Sequence, residues 1–594
     1  MTPRPTPRWR VAVAALPLLA AAPVLAARAD AAPATPPRVT AYPSPGASAV
    51  SAKTEISFRG VAPSRVGALT VRGSSTGVHA GALRAHGDGR GASFVPSKPF
   101  RDGEKVTVTT ALPVVGTRGG QITYTVARSA PQSTIPLPTA PGAPAVLSYR
   151  STDVHPLATT ETAAATRTVP GLTFTAPYGP PDVQGLQIMD DRNQVVYFQP
   201  LAQRAFDFKV QRYQGKPVLT WFEGSVVLPG YGTGSYVIAD TSYRVIKRVR
   251  ALGGLNGDLH EFTITPQGTA LITSYNPIYR DARTSGGVVN ARVLDNVVQE
   301  IDLASGRLLF EWHAVDHIGL TESYLAVPKD GTTLFDFAHV NSVKQFGSDG
   351  FAISVRSAHA VLTVDRSTGA ITHRIGGKRG NFRILGSKGF SSQHDATLRS
   401  DGNLTLFDNA LGTGESSATT SRGLILRVDL AKRTATLVRD LTPATPLPAQ
   451  SQGSIQALAV GNTFVNFGSA GSYQEYAADG TLVHGVSYAQ RGVQTYRAYK
   501  SGWTATPTTL PAAAAAKDAN GTAVFASWNG ATEVASWRVL GATSAGGPLV
   551  TVGSGARTDF ETTLRAPAGL AAAAVQALDS SGAVLGTSPT VPVS

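Results

Sequence analysis

Three histidines at one repeated position are the residues of this sequence best placed to do chemistry. His260, His339 and His394 each begin a short strand–turn–strand segment, and a fourth, weaker copy has Ser454 at the equivalent place. An isolated histidine is most often a packed or surface side chain. Histidines at one position of a repeat are different, because radial repetition brings equivalent positions together around one axis. The sequence therefore predicts a single pocket that contains all three imidazoles.

Two further polar residues belong to the segment that begins with His339. Asn341 follows it by two residues, so both side chains should point to one face of a strand. If the turn is centred on Ser348 and Asp349, Asn341 pairs with Arg356 across the hairpin. Cross-strand partners share a face at about 5 Å. We therefore expect a cationic, hydrogen-bonding cluster of His339, Asn341 and Arg356.

The same reasoning gives two candidate substrate contacts. Tyr275 lies opposite His260 if that hairpin turns at 267–268. On the equivalent assumption, Asn409 lies opposite His394. Plain packing within the hairpins is the alternative interpretation for both side chains.

Three chemistries fit a pocket of histidines with an arginine. Metal binding uses neutral imidazoles, often with acidic ligands. Asp258, Glu261 and Asp395 lie nearby, but the last two are adjacent to a histidine and should face away, and an arginine repels a cation. Acid–base elimination from an acidic sugar stays open as the alternative. Transfer of an anion fits best, with Arg356 and Asn341 on its equatorial oxygens and a neutral imidazole as nucleophile. We predict no metal site and no cofactor.

Repeated strand pairs are the elements that must position these side chains. A strand, a turn with an acid and a second strand recur six times, and the turn acids are Asp190, Asp240, Asp302, Asp365, Asp429 and Asp479. Their spacings are 50, 62, 63, 64 and 50 residues. The histidine-bearing hairpins lie between them, which gives four strands per period. The pattern predicts an all-β fold, with a six-bladed β-propeller catalytic domain over residues 145–506.

Composition divides the rest of the chain. Residues 38–128 alternate polar and apolar positions between closely spaced turns, which indicates an immunoglobulin-like β-sandwich. The Pro, Ala and Thr content of residues 129–144 is typical of a linker. Residues 517–594 are again β-rich, and their spacing resembles a fibronectin type III β-sandwich.

The N-terminus has the pattern of an export signal. Three arginines precede an almost wholly apolar stretch at 11–25, and residues 27–29 form a small-x-small cleavage site. We interpret residues 1–29 as a signal peptide. No later stretch approaches the roughly eighteen apolar residues that a spanning helix requires. We therefore expect a secreted, extracellular protein without a membrane span.

Charge and cysteine content exclude several classes of function. The 594 residues carry a formal net charge of +14, and four arginines of residues 1–29 account for part of it. The remaining charge is dispersed, without a run of lysine and arginine, so no nucleic-acid partner is predicted. The chain contains no cysteine. This excludes disulfide scaffolds, thiolate metal sites and thiol nucleophiles.

Taken together, the histidine segments resemble the bacterial arylsulfotransferase family, in its secreted branch. The resemblance covers about 145–506, and the matching segments are GDLHEFTITPQGTALITSYN (257–276), LFEWHAVDHIGLTESY (309–324), FDFAHVNSV (335–343), FAISVRS (351–357), IGGKRGNF (375–382) and FSSQHDATLRSDGNLTLFDN (390–409). The run of motifs in this order is specific. It implies a six-bladed propeller that moves sulfuryl groups between phenols without a nucleotide donor.

The resemblance also implies roles for the predicted residues. By the family's double displacement, His394 is the nucleophile and becomes sulfated. His260, His339, Asn341 and Arg356 hold the sulfate and stabilise charge, and one histidine exchanges a proton with the phenol. The implied partners are an aryl sulfate donor and a phenolic acceptor, and nothing is implied about oligomeric state. The alternative function is a secreted propeller that binds an acidic polysaccharide or cleaves it as a lyase.

Overall fold

The computed structural model describes residues 38–136, 145–179, 184–412 and 420–594. The predicted signal peptide, 1–29, and the later part of the predicted linker, 137–144, lie outside the described residues. Within the described ranges the chain is all-β, as predicted from its turns and repeats. Its helical segments there are helix α1 (Ala314–His317) and six 3₁₀ turns, Pro63–Arg65, Arg283–Ser285, Leu320–Glu322, Arg356–Ala358, Ala459–Gly461 and Gly468–Ala470. No helix in these ranges has the length and apolar character needed to cross a membrane.

The N-terminal part forms two antiparallel sheets. Its nine strands are β1 (Thr40–Tyr42), β2 (Ile56–Arg59), β3 (Leu69–Gly73), β4 (Gly77–Val78), β5 (Gly81–Ala85), β6 (Gly91–Pro96), β7 (Lys105–Thr110), β8 (Gln121–Thr125) and β9 (Arg128–Ser129). Eight of them form the sheets, in the orders β1-β2-β6-β5 and β4-β3-β7-β8, and β9 pairs outside these two sheets. One buried cluster, which includes Phe58 and Val108, draws residues from both sheets, so the two sheets share a core.

The central part contributes the strands that surround the predicted pocket. They are β10 (Thr159–Ala163), β11 (Leu172–Tyr178), β12 (Gly185–Met189), β13 (Val195–Pro200), β14 (Arg204–Tyr213), β15 (Lys216–Val227), β16 (Tyr231–Ala239), β17 (Val245–Val249), β18 (Phe262–Ile264), β19 (Thr269–Arg280), β20 (Ala291–Asp302), β21 (Leu308–His313), β22 (Leu334–Phe335), β23 (Val340–Phe346), β24 (Gly350–Val355), β25 (Ala360–Asp365), β26 (Ile371–Gly376), β27 (Arg383–Leu385), β28 (His394–Leu398), β29 (Asn403–Asp408), β30 (Arg422–Asp429), β31 (Thr434–Leu441), β32 (Ser454–Ala457), β33 (Thr463–Asn466), β34 (Ser472–Tyr476), β35 (Leu482–Tyr488) and β36 (Gln494–Ser501).

These strands form six sheets. Their orders are β13-β12-β11-β36, β14-β15-β16-β17, β18-β19-β20-β21, β23-β24-β25-β26, β27-β31-β30-β29-β28 and β10-β35-β34-β33-β32. Two sheets combine strands from both ends of the region, because β36 pairs with β11 and β10 pairs with β35. A cavity of about 350 Å³ is lined by residues of β14, β18, β23, β28, β32 and β36, so every one of the six sheets supplies a strand to it.

All six predicted turn acids lie in hairpins that close these sheets. In each, a side-chain oxygen accepts a hydrogen bond from a backbone N–H two to four residues ahead, at 2.8–3.1 Å. Aspartate favours such turns because its carboxylate replaces a backbone acceptor. The repeat found in the sequence is therefore a repeat of hairpins with the same turn chemistry.

A buried ion pair fixes the start of helix α1. Nδ1 of His313 lies 2.6 Å from Oδ2 of Asp295, and Nε2 lies 3.2 Å from Oε1 of Glu311. The other oxygen of Asp295 accepts the N–H of Val315 at 3.2 Å. Burial by itself would lower the pKa of His313, but the charges of Asp295 and Glu311 raise this pKa well above its usual value.

The C-terminal part forms two further sheets. Its strands are β37 (Ala512–Asp518), β38 (Gly521–Ser527), β39 (Ser536–Ala542), β40 (Val550–Ala556), β41 (Glu561–Ala566), β42 (Ala572–Leu578), β43 (Val584–Thr587) and β44 (Val591–Pro592). The orders are β37-β38-β41 and β40-β39-β42-β43, with β44 also paired to β42. Trp528 and Trp537 lie in the buried cluster that both sheets share.

Candidate active site

One cavity of about 270 Å³ contains all three predicted histidines and Arg356. Its other polar lining residues are Asp336, Ser357, Ser451 and Gln452. The apolar part of the lining is formed by Tyr178, Phe206, Val226, Pro229, Leu259, Leu325 and Tyr496. The lining of the cavity thus combines cationic and hydrogen-bonding groups with apolar ones.

His260 lies just before β18 and is held by a buried aspartate. Its Nδ1 is 2.6 Å from Oδ2 of Asp258. That carboxylate also accepts the N–H of Gly232 at 2.7 Å and the hydroxyl of Thr273 at 3.0 Å. Burial raises the pKa of Asp258, but the charge of His260 and these hydrogen bonds hold it below its usual value. The aspartate is therefore ionised and fixes the imidazole.

His339 forms a second histidine–aspartate pair beside the first. Its Nδ1 contacts Oδ2 of Asp336, and its ring meets the ring of His260 edge to face at 4.9 Å between centroids. Burial lowers the pKa of His339, and the charges of His260 and Arg356 lower it further, while Asp336 opposes both effects. Its backbone has a φ of 51°. Such a conformation is rare for a residue with a side chain and is typical of functional sites.

His394 differs from the other two because an amide holds its Nδ1. Oδ1 of Asn409 lies 2.6 Å from that nitrogen, and Nδ2 of Asn409 donates to the carbonyls of Ala449 at 2.8 Å and Gln452 at 2.9 Å. Since the amide oxygen can only accept, Nδ1 carries the proton and Nε2 has the lone pair. That lone pair accepts the backbone N–H of Gln452 at 3.2 Å. Burial, and then the charge of Arg356, lower the pKa of His394 well below its usual value.

Arg356 is the cation of the cavity that has no counter-ion. Its only side-chain hydrogen bond among the described residues is a 3.5 Å contact with the carbonyl of Gln450, and no described carboxylate forms an ion pair with it. Burial lowers the pKa of the guanidinium, and the charge of Asp336 partly opposes this. A cation held in this way favours an anionic ligand in the cavity.

The expected cross-strand pairing of Asn341 with Arg356 is wrong. A bulge over 340–342 places an extra residue in β23 and shifts the register. Asn341 turns its amide to the carbonyl of Gln393, at 2.7 Å, and is not among the residues that line the cavity. Arg356 follows the end of β24, where its backbone N–H donates to the carbonyl of His339 at 3.0 Å. Arg356 therefore adjoins His339 by a different route from the one predicted.

Tyr275 contacts His260, although the expected register is displaced by one residue. Phe262 pairs with Ile272, so the hairpin does not place Tyr275 directly opposite His260. The two rings nevertheless stack at 5.2 Å and 20°. The phenol of Tyr275 donates to the carbonyl of Val340 at 2.9 Å, and the side chain does not line the cavity.

Asn409 also reaches its predicted neighbour in spite of a register shift. His394 pairs with Phe407 in the sheet, because a bulge follows in β28. The bend brings the amide of Asn409 to Nδ1 of His394, and Asn409 does not line the cavity either. Tyr275 and Asn409 therefore each contact a histidine of the cavity without lining the cavity themselves.

The acids next to His260 and His394 face away from the cavity, as predicted from strand alternation. Glu261 binds Lys344 at 2.8 Å and Arg497 at 3.3 Å, and Asp395 lies within 3.5 Å of Lys344. Burial raises the pKa of Glu261, but the charges of Lys344, Arg497 and Lys209 lower it well below its usual value. These residues belong to a separate buried ionic cluster.

That cluster contains three acids and three cations and lies at the centre of the six sheets. Its members are Asp207, Glu261, Asp395, Lys209, Lys344 and Arg497. Arg497 has no exposed side-chain surface, and its guanidinium donates to the carbonyl of Asn341 at 2.8 Å. The hydroxyl of Tyr496 donates to the carbonyls of His260 at 3.0 Å and Asn341 at 3.2 Å. Arg497 of the cluster and Tyr496 thus bind the backbone where the strands next to His260 and His339 begin.

Several residues of the site were missed by sequence reasoning. Asp336 had a signal, because it precedes His339 by three residues as Asp258 precedes His260 by two. Ser451, Gln452 and Tyr496 come from segments outside the histidine repeats, and no sequence pattern indicated that they line the cavity. Over the described residues, no group of three or more His, Cys, Asp or Glu side chains is arranged to hold a metal ion.

Comparison with solved structures gives only distant likenesses. A protein of unknown function from Bacteroides caccae is 10% identical, covering 56% of this chain and 99% of its own, with a TM-score of 0.36. Apo AztD from Citrobacter koseri is 15% identical, covering 57% and 100%, with a TM-score of 0.26. The GH43 protein BlXynB from Bacillus licheniformis is 9% identical, covering 70% and 91%, with a TM-score of 0.27. No curated protein matches the chain.

A family match covers the part of the chain that carries the histidines and the arginine of the cavity. Residues 209–489 match the model of the arylsulfotransferase (ASST) family. The matched range includes His260, His339, Arg356 and His394, with the hairpins that carry them. The earlier resemblance, found from the histidine segments, is therefore confirmed. Residues 209–489 of this chain are therefore similar to the arylsulfotransferase family.

Proposed function

We propose that the chain is a nucleotide-independent aryl sulfotransferase, which moves a sulfuryl group from an aryl sulfate ester to a phenol through a sulfated histidine. The observation that carries this proposal is Arg356, a cation without a counter-ion in the same cavity as three imidazoles. Such a site favours an anion that a histidine can attack. The family match supports a sulfuryl group as that anion.

The shape of the cavity favours an aryl ester over a polymer. About 270 Å³ lies at the lower end of the range for small-molecule pockets and suits a single ring with its sulfate. The side chains of Phe206, Tyr178 and Leu259 provide apolar contact for that ring. An acidic polysaccharide would need an open groove with several polar subsites, so binding or lyase activity on such a polymer is less favoured.

His394 is assigned as the nucleophile. Nδ1 of His260 and Nδ1 of His339 each contact an aspartate, whereas Nδ1 of His394 is held by the neutral amide of Asn409. A neutral imidazole with its lone pair on Nε2 is a good nucleophile near pH 7. The lowered pKa of His394 keeps it in this form.

In the first half of the reaction the ester gives its sulfuryl group to His394. The lone pair on Nε2 forms the N–S bond while the S–O bond to the aryl group breaks, and that electron pair leaves on the aryl oxygen. Protonated His260 gives the oxygen a proton from Nε2, so that a neutral phenol departs. Arg356 binds the sulfuryl oxygens, and Asn409 keeps the Nδ1 proton of the sulfo-imidazolium.

In the second half the same steps run in reverse with the acceptor phenol. His260 takes the phenolic proton as the phenol oxygen forms an S–O bond, and the N–S bond breaks. His394 recovers its lone pair and the aryl sulfate product leaves. The backbone N–H of Gln452, which caps Nε2 in this structure, is placed to donate to a sulfuryl oxygen once that nitrogen is sulfated.

Asn341, Tyr275 and Asn409 are assigned to positioning. Asn341 binds the carbonyl that precedes His394, Tyr275 stacks on His260, and Asn409 orients His394. These contacts fix the imidazoles within the small distances that covalent transfer tolerates.

The architecture that we propose for this function is a six-bladed propeller over residues 145–506, between two β-sandwiches at 38–128 and 517–594. It is supported by the six sheets, each of which supplies a strand to one central cavity. The N-terminal sequence supports export of the protein, with residues 1–29 as the signal peptide.

The proposal is tested with 4-nitrophenyl sulfate as donor and phenol as acceptor. We expect phenol-dependent release of 4-nitrophenol and parallel double-reciprocal lines when both substrates are varied, because transfer through His394 is a double displacement. With donor alone, one sulfuryl group should appear on the peptide that contains His394, in samples kept at neutral or alkaline pH.

Variants locate the label. His394→Ala should abolish it, His260→Ala should slow its formation, and His373→Ala, which changes a histidine outside the cavity, should retain it. Intersecting kinetic lines, or a label on His260 or His339, would refute the assignment. Release that ignores the acceptor would indicate a sulfatase instead.

A further inference from the structure

A groove of about 440 Å³ adjoins the cavity that contains the three histidines. It is lined by Pro131, Gln132, Ser133, Thr134, Ile135, Leu228, Pro229, Arg292, Thr332 and Leu334. Pro229 lines both spaces, so the groove begins where the cavity ends. We propose that this groove binds a carboxylate-bearing tail of the aryl substrate, with Arg292 as the partner of the carboxylate. The inference rests on the proposed sulfotransferase function and names its substrate class.

Arg292 has the properties of an anion-binding residue. It lies on β20, and its guanidinium donates to the carbonyls of Thr332 at 2.9 Å and Pro131 at 2.8 Å. Its buried Nε has no hydrogen-bond partner among the described residues, and no described carboxylate forms an ion pair with it. The guanidinium is therefore fixed in place by neutral groups while its charge is not neutralised. A planar, fixed guanidinium is well suited to bind a carboxylate.

The floor of the groove is apolar and exposed. The side chains of Ile135 and Leu228 are 59% and 36% exposed, and the N–H of Leu228 donates to the carbonyl of Ile135 at 2.8 Å. Exposed apolar side chains beside a pocket are typical of a ligand-binding surface. A tail with methylene or aryl groups would cover them on its way to Arg292.

A stack of rings connects the groove rigidly to the catalytic histidines. Tyr231 bonds to Gln132 at 2.9 Å and to the N–H of Ser133 at 3.0 Å, in the wall of the groove. It stacks on Tyr275 at 5.7 Å, and Tyr275 stacks on His260 at 5.2 Å. A substrate held at one end of this stack is thereby placed relative to the other end, which raises the rate of transfer.

The inference applies to both halves of the reaction. Because donor and acceptor exchange with His394 in one cavity, their aryl groups occupy the same place in turn. A carboxylate tail should therefore assist an aryl sulfate as donor and a phenol as acceptor.

The test compares phenol with hydroxyphenyl carboxylates of increasing chain length, with 4-nitrophenyl sulfate as donor. We expect kcat/KM to rise for a tail long enough to pass Pro229. In Arg292→Gln, kcat/KM for the best carboxylate should fall roughly 30-fold more than for phenol, the usual effect of losing a hydrogen bond to a charged group. Arg292→Lys should restore part of the difference. Arg283→Gln removes a surface charge paired with Asp281 and should leave the ratio as in the wild type.

Calorimetric binding of 4-hydroxyphenylpropionate and its longer homologues provides a measurement that does not depend on turnover. Wild-type affinity for the best homologue should exceed that of Arg292→Gln by a similar factor. A wild type that uses phenol but gains nothing from any carboxylate, or a variant that loses both acceptors equally, overturns the groove assignment and leaves the sulfotransferase intact. A wild type that transfers to no phenol overturns the proposed function, and the calorimetry then decides whether the groove binds carboxylates.

Discussion

Among single residues, the three histidines of the cavity differ in the side chain that contacts Nδ1 of each ring. His260 and His339 each contact an aspartate, Asp258 and Asp336, through Nδ1. His394 is backed by the amide of Asn409, which orients the ring without supplying charge. In the proposed reaction, this difference assigns nucleophilic attack to His394 and proton transfer to His260.

Arg356 has two effects on His394, and one substitution tests both. It lines the cavity with His394, and its charge is second only to burial among the causes that lower the pKa of His394. In the proposed reaction attack requires the neutral imidazole, so the acid limb of the kcat/KM profile reports the lowered pKa of His394.

In Arg356→Gln we expect kcat/KM to fall by about 10²-fold, as on loss of one charge-stabilising donor. The acid limb of its pH profile should move to higher pH, because the pKa of His394 rises when the positive charge is removed. Steady-state kinetics between about pH 4 and 8 measure both effects around the ordinary histidine value. Arg212→Gln, near the end of β14 and outside the cavity, is the distant-charge control. A fall in rate with an unmoved acid limb, or a large loss of thermal stability, would contradict this role.

At the scale of elements, the turns were predictable from the sequence and the bulges were not. Each turn acid accepts hydrogen bonds from backbone N–H groups of its own turn, so a local sequence pattern is sufficient to find it. The bulge over 340–342 is held by contacts from β36, in which Tyr496 and Arg497 bind the carbonyl of Asn341. Such long-range contacts leave no mark in the local alternation. This is why the histidines were predicted correctly as neighbours while the partner of Arg356 was not.

Helix α1 provides a test of element stability. His313 is buried between Asp295 and Glu311, and its raised pKa means that the folded chain binds a proton that the unfolded chain releases near pH 6.5. Its contribution to stability is fully present below that pH and is lost as the pH rises through the folded pKa.

His313→Gln should therefore lower the free energy of unfolding by about 3 kcal/mol at pH 6, since it leaves buried carboxylates without their cation. Urea unfolding of the wild type and the variant from pH 6 to 10 measures the difference, which should shrink as the pH rises. His373→Gln, on the half-exposed strand β26, is the matched control and should change stability little. A difference that grows with pH would show that His313 is neutral in the folded chain.

At the scale of the whole molecule, the last central strand completes both the fold and the site. β36 pairs with β11, the first long strand of the region, over Leu172–Tyr178. It also supplies Tyr496 to the cavity and Arg497 to the buried ionic cluster. The strands that carry the histidines therefore gain their contacts with Tyr496 and Arg497 only when β36 has paired with β11.

Two truncated chains test this closure. A chain that ends at residue 506 keeps β36, whereas one that ends at residue 492 lacks it but is otherwise matched, because both lack the C-terminal sheets. We expect limited proteolysis to leave residues 145–506 of the longer chain as one resistant fragment. The shorter chain should be digested throughout. Without β36, the edge of β11 is open and Asp207, Glu261 and Asp395 lose the charge of Arg497, which leaves an unbalanced buried cluster. Resistant pieces of one or two of the six central sheets, from either chain, would mean that these sheets are stable separately, and would count against a closed propeller.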